Sequence, residues 1–142
     1  MYSTFPFRGP VQIVHETSQY AKFDLDTGSI VVVKSERQQE KTKEGKNDLA
    51  NNELWQIIPI GNGFCIRNVG SGCSAFASND DEVVREKGAV TVWSIEQAPS
   101  GSWKIMSLVG DLAWTMIDFK IVLRPRSRTR KQLFEFQTRS IN

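Results

Sequence analysis

The chain has 142 residues, of which 39% are hydrophobic and 24% charged, and its formal net charge is +2. That length implies one compact domain spanning 1–142, with a core large enough to need neither disulfides nor a metal. The balance excludes a wholly disordered chain and a polycation, and no apolar run approaches the roughly 20 residues that span a bilayer.

The N-terminus, Met1-Tyr2-Ser3-Thr4-Phe5-Pro6-Phe7-Arg8, has no basic segment followed by an apolar one. No signal peptide is read there, and a cytoplasmic chain is expected. Short β runs follow in order: Val11–Val14, Tyr20–Leu25, Ile30–Val33, Leu54–Ile58, Phe64–Ile66, Ala75–Ala77, Val83–Val84, Val92–Ile95, Trp103–Met106, Ala113–Met116, Ile121–Leu123 and Leu133–Phe136. Turn residues such as Asp26-Thr27-Gly28 and Gly61-Asn62-Gly63 separate them. Twelve short strands punctuated in this way predict an all-β barrel or sandwich, and no amphipathic helix of useful length is found.

The runs repeat. Leu54-Trp55-Gln56-Ile57 recurs as Val92-Trp93-Ser94-Ile95 and as Leu133-Phe134-Glu135-Phe136, each apolar, aromatic, polar, apolar. Val11-Gln12-Ile13, Phe64-Cys65-Ile66 and Trp103-Lys104-Ile105 open the corresponding thirds, with the outer two residues of each triplet on one face. The repeats span about 10–60, 61–100 and 101–138. Ile13 to Trp55 is 42 residues, against 27 from Ile66 to Trp93 and 29 from Ile105 to Phe134. The excess falls in Lys34–Asn51, a polar, mixed-charge stretch expected to be an exposed loop.

Catalytic signals are sparse. His15 is the single histidine, and there is no HExxH, CxxC, GxSxG or phosphate-cradling glycine loop. Cys65 and Cys73 make no disulfide framework, although they flank a turn and a bridge is sterically conceivable. With two thiols and one imidazole, a Cys–His dyad is a weak signal. The expectation is a binding protein, not an enzyme, with no catalytic residue, no metal and no cofactor.

Asn52-Glu53-Leu54-Trp55 followed by Gly61-Asn62-Gly63-Phe64-Cys65-Ile66-Arg67-Asn68 resembles the Asn-Gln-x-Trp close of one repeat and its link to the next in the ricin-B-like lectins, above all the short single-domain fungal ones. The resemblance covers most of residues 10–138, as pattern rather than identity outside these motifs. It implies a β-trefoil, three four-stranded repeats with pseudo-threefold symmetry, and a carbohydrate-binding, non-catalytic lectin of defence type. In that family an early Asp and the Asn of the motif hold the sugar. A carboxylate accepts hydrogen bonds from neighbouring hydroxyls, and an amide both donates and accepts. The carry-over gives Asp24 and Asn52, with Asp26, Lys34 and Glu53 beside them.

Departures limit the sites. Val31-Val32-Val33-Lys34 stands where a stacking aromatic is usual, and Glu53 replaces the motif Gln. Ala75 or Phe76 and Val90 occupy the sugar positions of the second repeat, and Ala113 or Trp114 and Lys131 those of the third. At most one family-type site survives, in the first repeat. Trp55, Trp93, Phe134 and Trp103 read as core, and Trp114 as either core or an exposed stacking platform. Asp24 has a plainer reading as the residue that orders its turn. His15 reads as solvated or hydrogen-bonded.

Between Lys120 and Lys131 stand Lys120, Arg124, Arg126, Arg128, Arg130 and Lys131 without one acid, so the +2 conceals −4 elsewhere. Four arginines at alternate positions share a face if the segment is extended, as the hairpin between the last two strands. A solvated hairpin whose charges prevent edge pairing is the plain reading. An anionic partner, such as a sulfated glycan, is the functional one. Nucleic acid is not expected, since no recognition helix or RNA-binding motif is found. The alternative function is a β-trefoil protease inhibitor acting through Arg124–Lys131 or Lys34–Asn51. A homodimer through a sheet edge or apolar patch stays open.

Overall fold

The structure is a computed structural model that describes residues 6–16, 19–24, 27–34, 53–108 and 111–138. Twelve strands are described, one at each predicted run. They are β1 (Val11–His15), β2 (Gln19–Phe23), β3 (Ile30–Lys34), β4 (Trp55–Ile60), β5 (Gly63–Asn68), β6 (Ser74–Ala77), β7 (Val83–Glu86), β8 (Trp93–Gln97), β9 (Trp103–Ser107), β10 (Leu112–Ile117), β11 (Lys120–Pro125) and β12 (Glu135–Thr138). The helical content among the described residues is one 3-10 turn, Arg130–Gln132.

Six strands close into a ring. β12 pairs β1, β1 meets β4 at Val11↔Trp55, β4 pairs β5, β5 meets β8 at Phe64↔Trp93, and β8 pairs β9. The Trp103↔Phe134 bridge returns the ring to its start. The other six strands form three antiparallel hairpins, β2–β3, β6–β7 and β10–β11. Each hairpin tip reaches the next in turn, through Ser29↔Val84, Glu82↔Val122 and Lys120↔Val31.

One repeated hydrogen bond ties the tips together. Arg85 N–H donates to the Gly28 carbonyl (2.8 Å), Leu123 N–H to that of Asp81 (2.7 Å) and Val32 N–H to that of Phe119 (2.9 Å). The three accepting residues share a left-handed backbone, with φ of 79°, 60° and 63°. Gly28 suits that conformation, Asp81 tolerates it, and Phe119 is a poor fit. Phe119 also lies 62% exposed, so its ring recovers little by burial. Phe119→Gly should therefore raise the melting temperature by about 3 °C, for about 1 kcal/mol. Differential scanning calorimetry checks this, and a lowered melting temperature would show that the ring has a packing role.

The core follows the repeats. Ile13, Ile66 and Ile105 from the opening strands are fully buried, as are Trp55, Trp93 and Phe134 from the closing ones. Trp55 Nε1–H donates to the Ala21 carbonyl (3.0 Å), and Trp93 Nε1–H to that of Ala75 (3.2 Å). Ala21, Ala75 and Trp114 stand opposite Val32, Arg85 and Leu123, the three residues that donate to the tip carbonyls. The third repeat thus exchanges sizes, with Trp114 in the alanine position and Phe134 in the tryptophan position. Trp114 is fully buried, edge-on to Trp93 (5.6 Å) and Phe134 (6.2 Å), and its indole N–H has no partner among the described residues. That settles its two readings in favour of core. Trp103 is core as well, at 9% exposure. Cys65 and Cys73 are free thiols.

Candidate functional site

The tip hydrogen bonds give a register for comparing the hairpins. Phe23↔Ile30, Ala77↔Val83 and Met116↔Ile121 correspond, so the next residues, Asp24, Ser78 and Ile117, occupy matching places. This corrects the sequence expectation, which put Ala75 or Phe76 of the second repeat and Ala113 or Trp114 of the third in the place equivalent to Asp24. Those residues lie further back, inside the ladders of β6 and β10. At the matching places a hydroxyl and a butyl group stand where the first hairpin has a carboxylate.

Asp24 is half-buried at the end of β2. Its Oδ2 accepts from Thr27 Oγ1–H (2.7 Å) and from Thr27 N–H (3.3 Å). Its backbone is fixed on both sides, since Asp24 N–H donates to the Ser29 carbonyl and Gly28 N–H to that of Asp24, each at 2.8 Å. The turn-ordering role read from the sequence is therefore present. It also presents the carboxylate in one orientation at the tip. Asp26 and Asn52 lie outside the described residues. Lys34 ends β3, and its side chain lies outside them too. So does the rest of the Lys34–Asn51 loop.

Glu53 is turned inward. It is 4% exposed, and Gln12 Nε2–H donates to its Oε1 (3.1 Å). The residues two before Trp93 and Phe134 do similar work. Thr91 Oγ1 accepts from Ala77 N–H (2.9 Å). Gln132, 1% exposed, accepts from Ser127 N–H (2.9 Å) and donates to the Pro125 carbonyl (2.9 Å) and Thr115 Oγ1 (3.1 Å). Burial thus corrects the assignment of Glu53 to the ligand side. It braces the closing strand from within.

The basic strip does not form as a strip. β11 ends at Pro125 and pairs with β10 and β3, while β12 pairs with β1, so the segment between them is a connection and not a hairpin. Thr129 caps the 3-10 turn, and Gln132 holds the segment down through Ser127 and Pro125. The cations scatter accordingly. Lys120 pairs with Glu82 (3.2 Å) among the tips, and Arg124 donates to the Leu123 carbonyl (3.0 Å). Arg130 lines a cavity of about 330 Å³ with Glu16, Ser100, Ser102, Leu133 and Glu135. Arg126 and Arg128 line another, of about 400 Å³, with Lys104, Asp111 and Ser127. Lys131 is exposed. Sequence reasoning missed Lys104 because its partner, the Ser127 carbonyl (2.7 Å), is 23 residues away.

His15 is buried, contrary to the solvated reading and in line with the hydrogen-bonded one: its Nδ1 lies 3.0 Å from Gln19 Oε1. Among the described residues no group of three or more His, Cys, Asp or Glu is placed to hold a metal ion.

No family model matches the chain, and no curated protein matches it in sequence. Solved structures do match in shape. The ricin B-like lectin of Macrolepiota procera, solved in complex with lactose, aligns at a TM-score of 0.74 and 11% identity over 95% of this chain and 99% of that one. The Rhizoctonia solani agglutinin aligns at 0.74 and 16% over 97% and 100%. A designed threefold symmetric protein, ThreeFoil, aligns at 0.68 and 13% over 91% and 98%. In fold, over nearly its whole length and at low sequence identity, the chain resembles the ricin B-like lectins.

Proposed function

We propose that the chain is a non-catalytic β-trefoil lectin, one domain of three repeats, that binds glycans at its first hairpin tip. The observation that carries this reading is the three-way comparison of the tips. Asp24, Ser78 and Ile117 hold matching places, and a carboxylate stands in the first alone. The lactose complex of a structural neighbour supports a sugar as the ligand class.

Chemistry suits the role. Thr27 holds one oxygen of Asp24, so the carboxylate is oriented before a ligand arrives. A fixed carboxylate accepts from neighbouring sugar hydroxyls, and the Asn52 amide would complement it by donating and accepting. Asp26 and Lys34 stay the further candidates that the sequence offers beside them. Glu53 acts from inside, buried and held by Gln12. With no aromatic on β3 to cover the sugar ring, affinity per site is expected to be weak.

A glycan array on the wild type and on Asp24→Ala and Asp24→Asn tests the proposal. The amide of Asn can still accept from Thr27 and hold the turn, so that variant isolates the carboxylate from the fold. The expected result is a defined glycan class bound by the wild type and weakened about 10- to 100-fold in both variants, the usual value of a hydrogen bond to a charged group. A wild type that binds no glycan, or variants that bind unchanged, would refute it.

A further inference from the structure

We propose that the cavity between β9 and the segment Arg126–Arg128 is an oxyanion site that takes the sulfate esters of a sulfated glycan. The glycan as carrier rests on the lectin reading above, whereas the oxyanion chemistry rests on the cavity itself.

Three cations reach this space of about 400 Å³ from two separate parts of the chain. Lys104 comes from β9, and its ammonium is fixed at the wall by donating to the Ser127 carbonyl at 2.7 Å. Arg126 lies 3.7 Å from Glu96, with the two side chains 46% and 54% exposed. A contact that long and that wet binds the guanidinium weakly and yields to a better acceptor. Arg128 is exposed and has no hydrogen bond or ion pair among the described residues. Two acids are near: Asp111 in the lining, and Glu96, which contacts Arg126 and stands opposite Lys104 in the ladder. The three cations outnumber the two acids and leave the space positive.

The rim is built before any ligand arrives. Arg126 N–H donates to the Asp111 carbonyl (2.8 Å), and Ser127 N–H to the side chain of buried Gln132 (2.9 Å). The backbone at Arg126 and Ser127 is thus held at two points, one of them on buried Gln132.

The donor set selects the ligand. A guanidinium fork gives two parallel hydrogen bonds to an oxyanion, and an ammonium gives a further point charge. A sulfate ester offers three terminal oxygens that share one negative charge. A neutral sugar hydroxyl gains little from three cations. Nucleic acid phosphates share the charge, but the lining residues include no aromatic ring on which a base could stack. That favours a sulfated glycan as the carrier.

The test is surface plasmon resonance of the full chain on immobilised heparin, on chemically desulfated heparin, and on single-stranded DNA. The expected result is binding to heparin that falls steeply with salt, and little binding to the other two. Arg126→Gln with Arg128→Gln should weaken heparin binding at least tenfold, and Lys104→Gln alone several-fold. Arg67→Gln with Lys87→Gln removes the same charge from exposed positions elsewhere and should change binding less than twofold. Equal losses in the two double variants would reduce the effect to net charge and overturn the site. So would no heparin binding, undiminished binding to desulfated heparin, or DNA binding as tight as heparin binding. Heparin binding lost in Asp24→Asn but kept in Arg126→Gln with Arg128→Gln would move the sulfate to the first hairpin, overturning this site and leaving the lectin reading intact.

Discussion

Replacing Trp93 by alanine is expected to cost about 3–5 kcal/mol, a large part of the roughly 5–15 kcal/mol that holds a domain of this size folded. Three losses coincide at one side chain. Trp93 is fully buried, so the cavity left behind is large. Its ring meets that of Trp114 edge-on at 5.6 Å, and that contact disappears. The Ala75 carbonyl loses the indole donor at 3.2 Å. Trp93→Phe should be milder, at about 2 kcal/mol, because it keeps a ring and gives up the donor and part of the volume. The third repeat carries Phe134 in this place, but there Trp114 fills the space that Ala75 leaves open in the second. Urea unfolding of both variants checks the ranking. A cost below about 1 kcal/mol for Trp93→Ala would contradict a core built on the three closing aromatics.

Gly63→Ala is expected to be almost as damaging, at about 3 kcal/mol, although it adds one methyl group. A Cβ at Gly63 would lie 2.3 Å from the Trp93 carbonyl oxygen and 2.9 Å from Val92 Cγ1. The first obstacle is backbone, and it belongs to the strand that meets β5 at Phe64↔Trp93. The methyl therefore finds room only by opening the ring of strands at that seam. The requirement is one of space, since Gly63 is not among the residues with positive φ. Gly88→Ala is the control: nothing lies within 4 Å of the added carbon, and its φ is not positive either. It should be neutral or stabilise slightly, by less than about 1 kcal/mol. Thermal denaturation of the two variants side by side gives the contrast, and similar melting temperatures would contradict the close approach.

The strands were legible because each carries its own signal. β-branched and aromatic residues alternate between turn residues, and the closing Trp55, Trp93 and Phe134 repeat at intervals too regular for a loop. What depends on register was not legible. The tips between Asp24 and Ser29, Ser78 and Glu82, and Ile117 and Lys120 hold four, three and two residues. Counting from a motif therefore slips, which is how Ala75 and Trp114 came to be matched with Asp24. Trp114 was ambiguous because the third repeat places its large residue in β10 and its smaller ring at Phe134. No local pattern announces that exchange.

The arginine segment shows the other limit. Arg124, Arg126, Arg128 and Arg130 alternate in sequence, and alternation means a shared face only in an extended strand. Pro125 ends the strand and Gln132 folds the remainder back, so Arg126 and Arg128 meet Lys104 while Arg130 faces another cavity. The same inward pull explains Glu53. The Asn-Gln-x-Trp resemblance drew it into the sugar site with Asn52, but the position two before each closing aromatic is hydrogen-bonded within the fold in all three repeats.

The central claim is that a glycan sits on the first hairpin tip and not on the other two. It is tested most directly by titrating the isotopically labelled chain with its best array glycan and following backbone amides by NMR. Saturable shifts are expected at Asp24, Thr27, Gly28 and Ser29, with Ser78–Glu82 and Ile117–Lys120 unmoved. Shifts centred on the second or third tip, or no saturable shift on any tip, would contradict it.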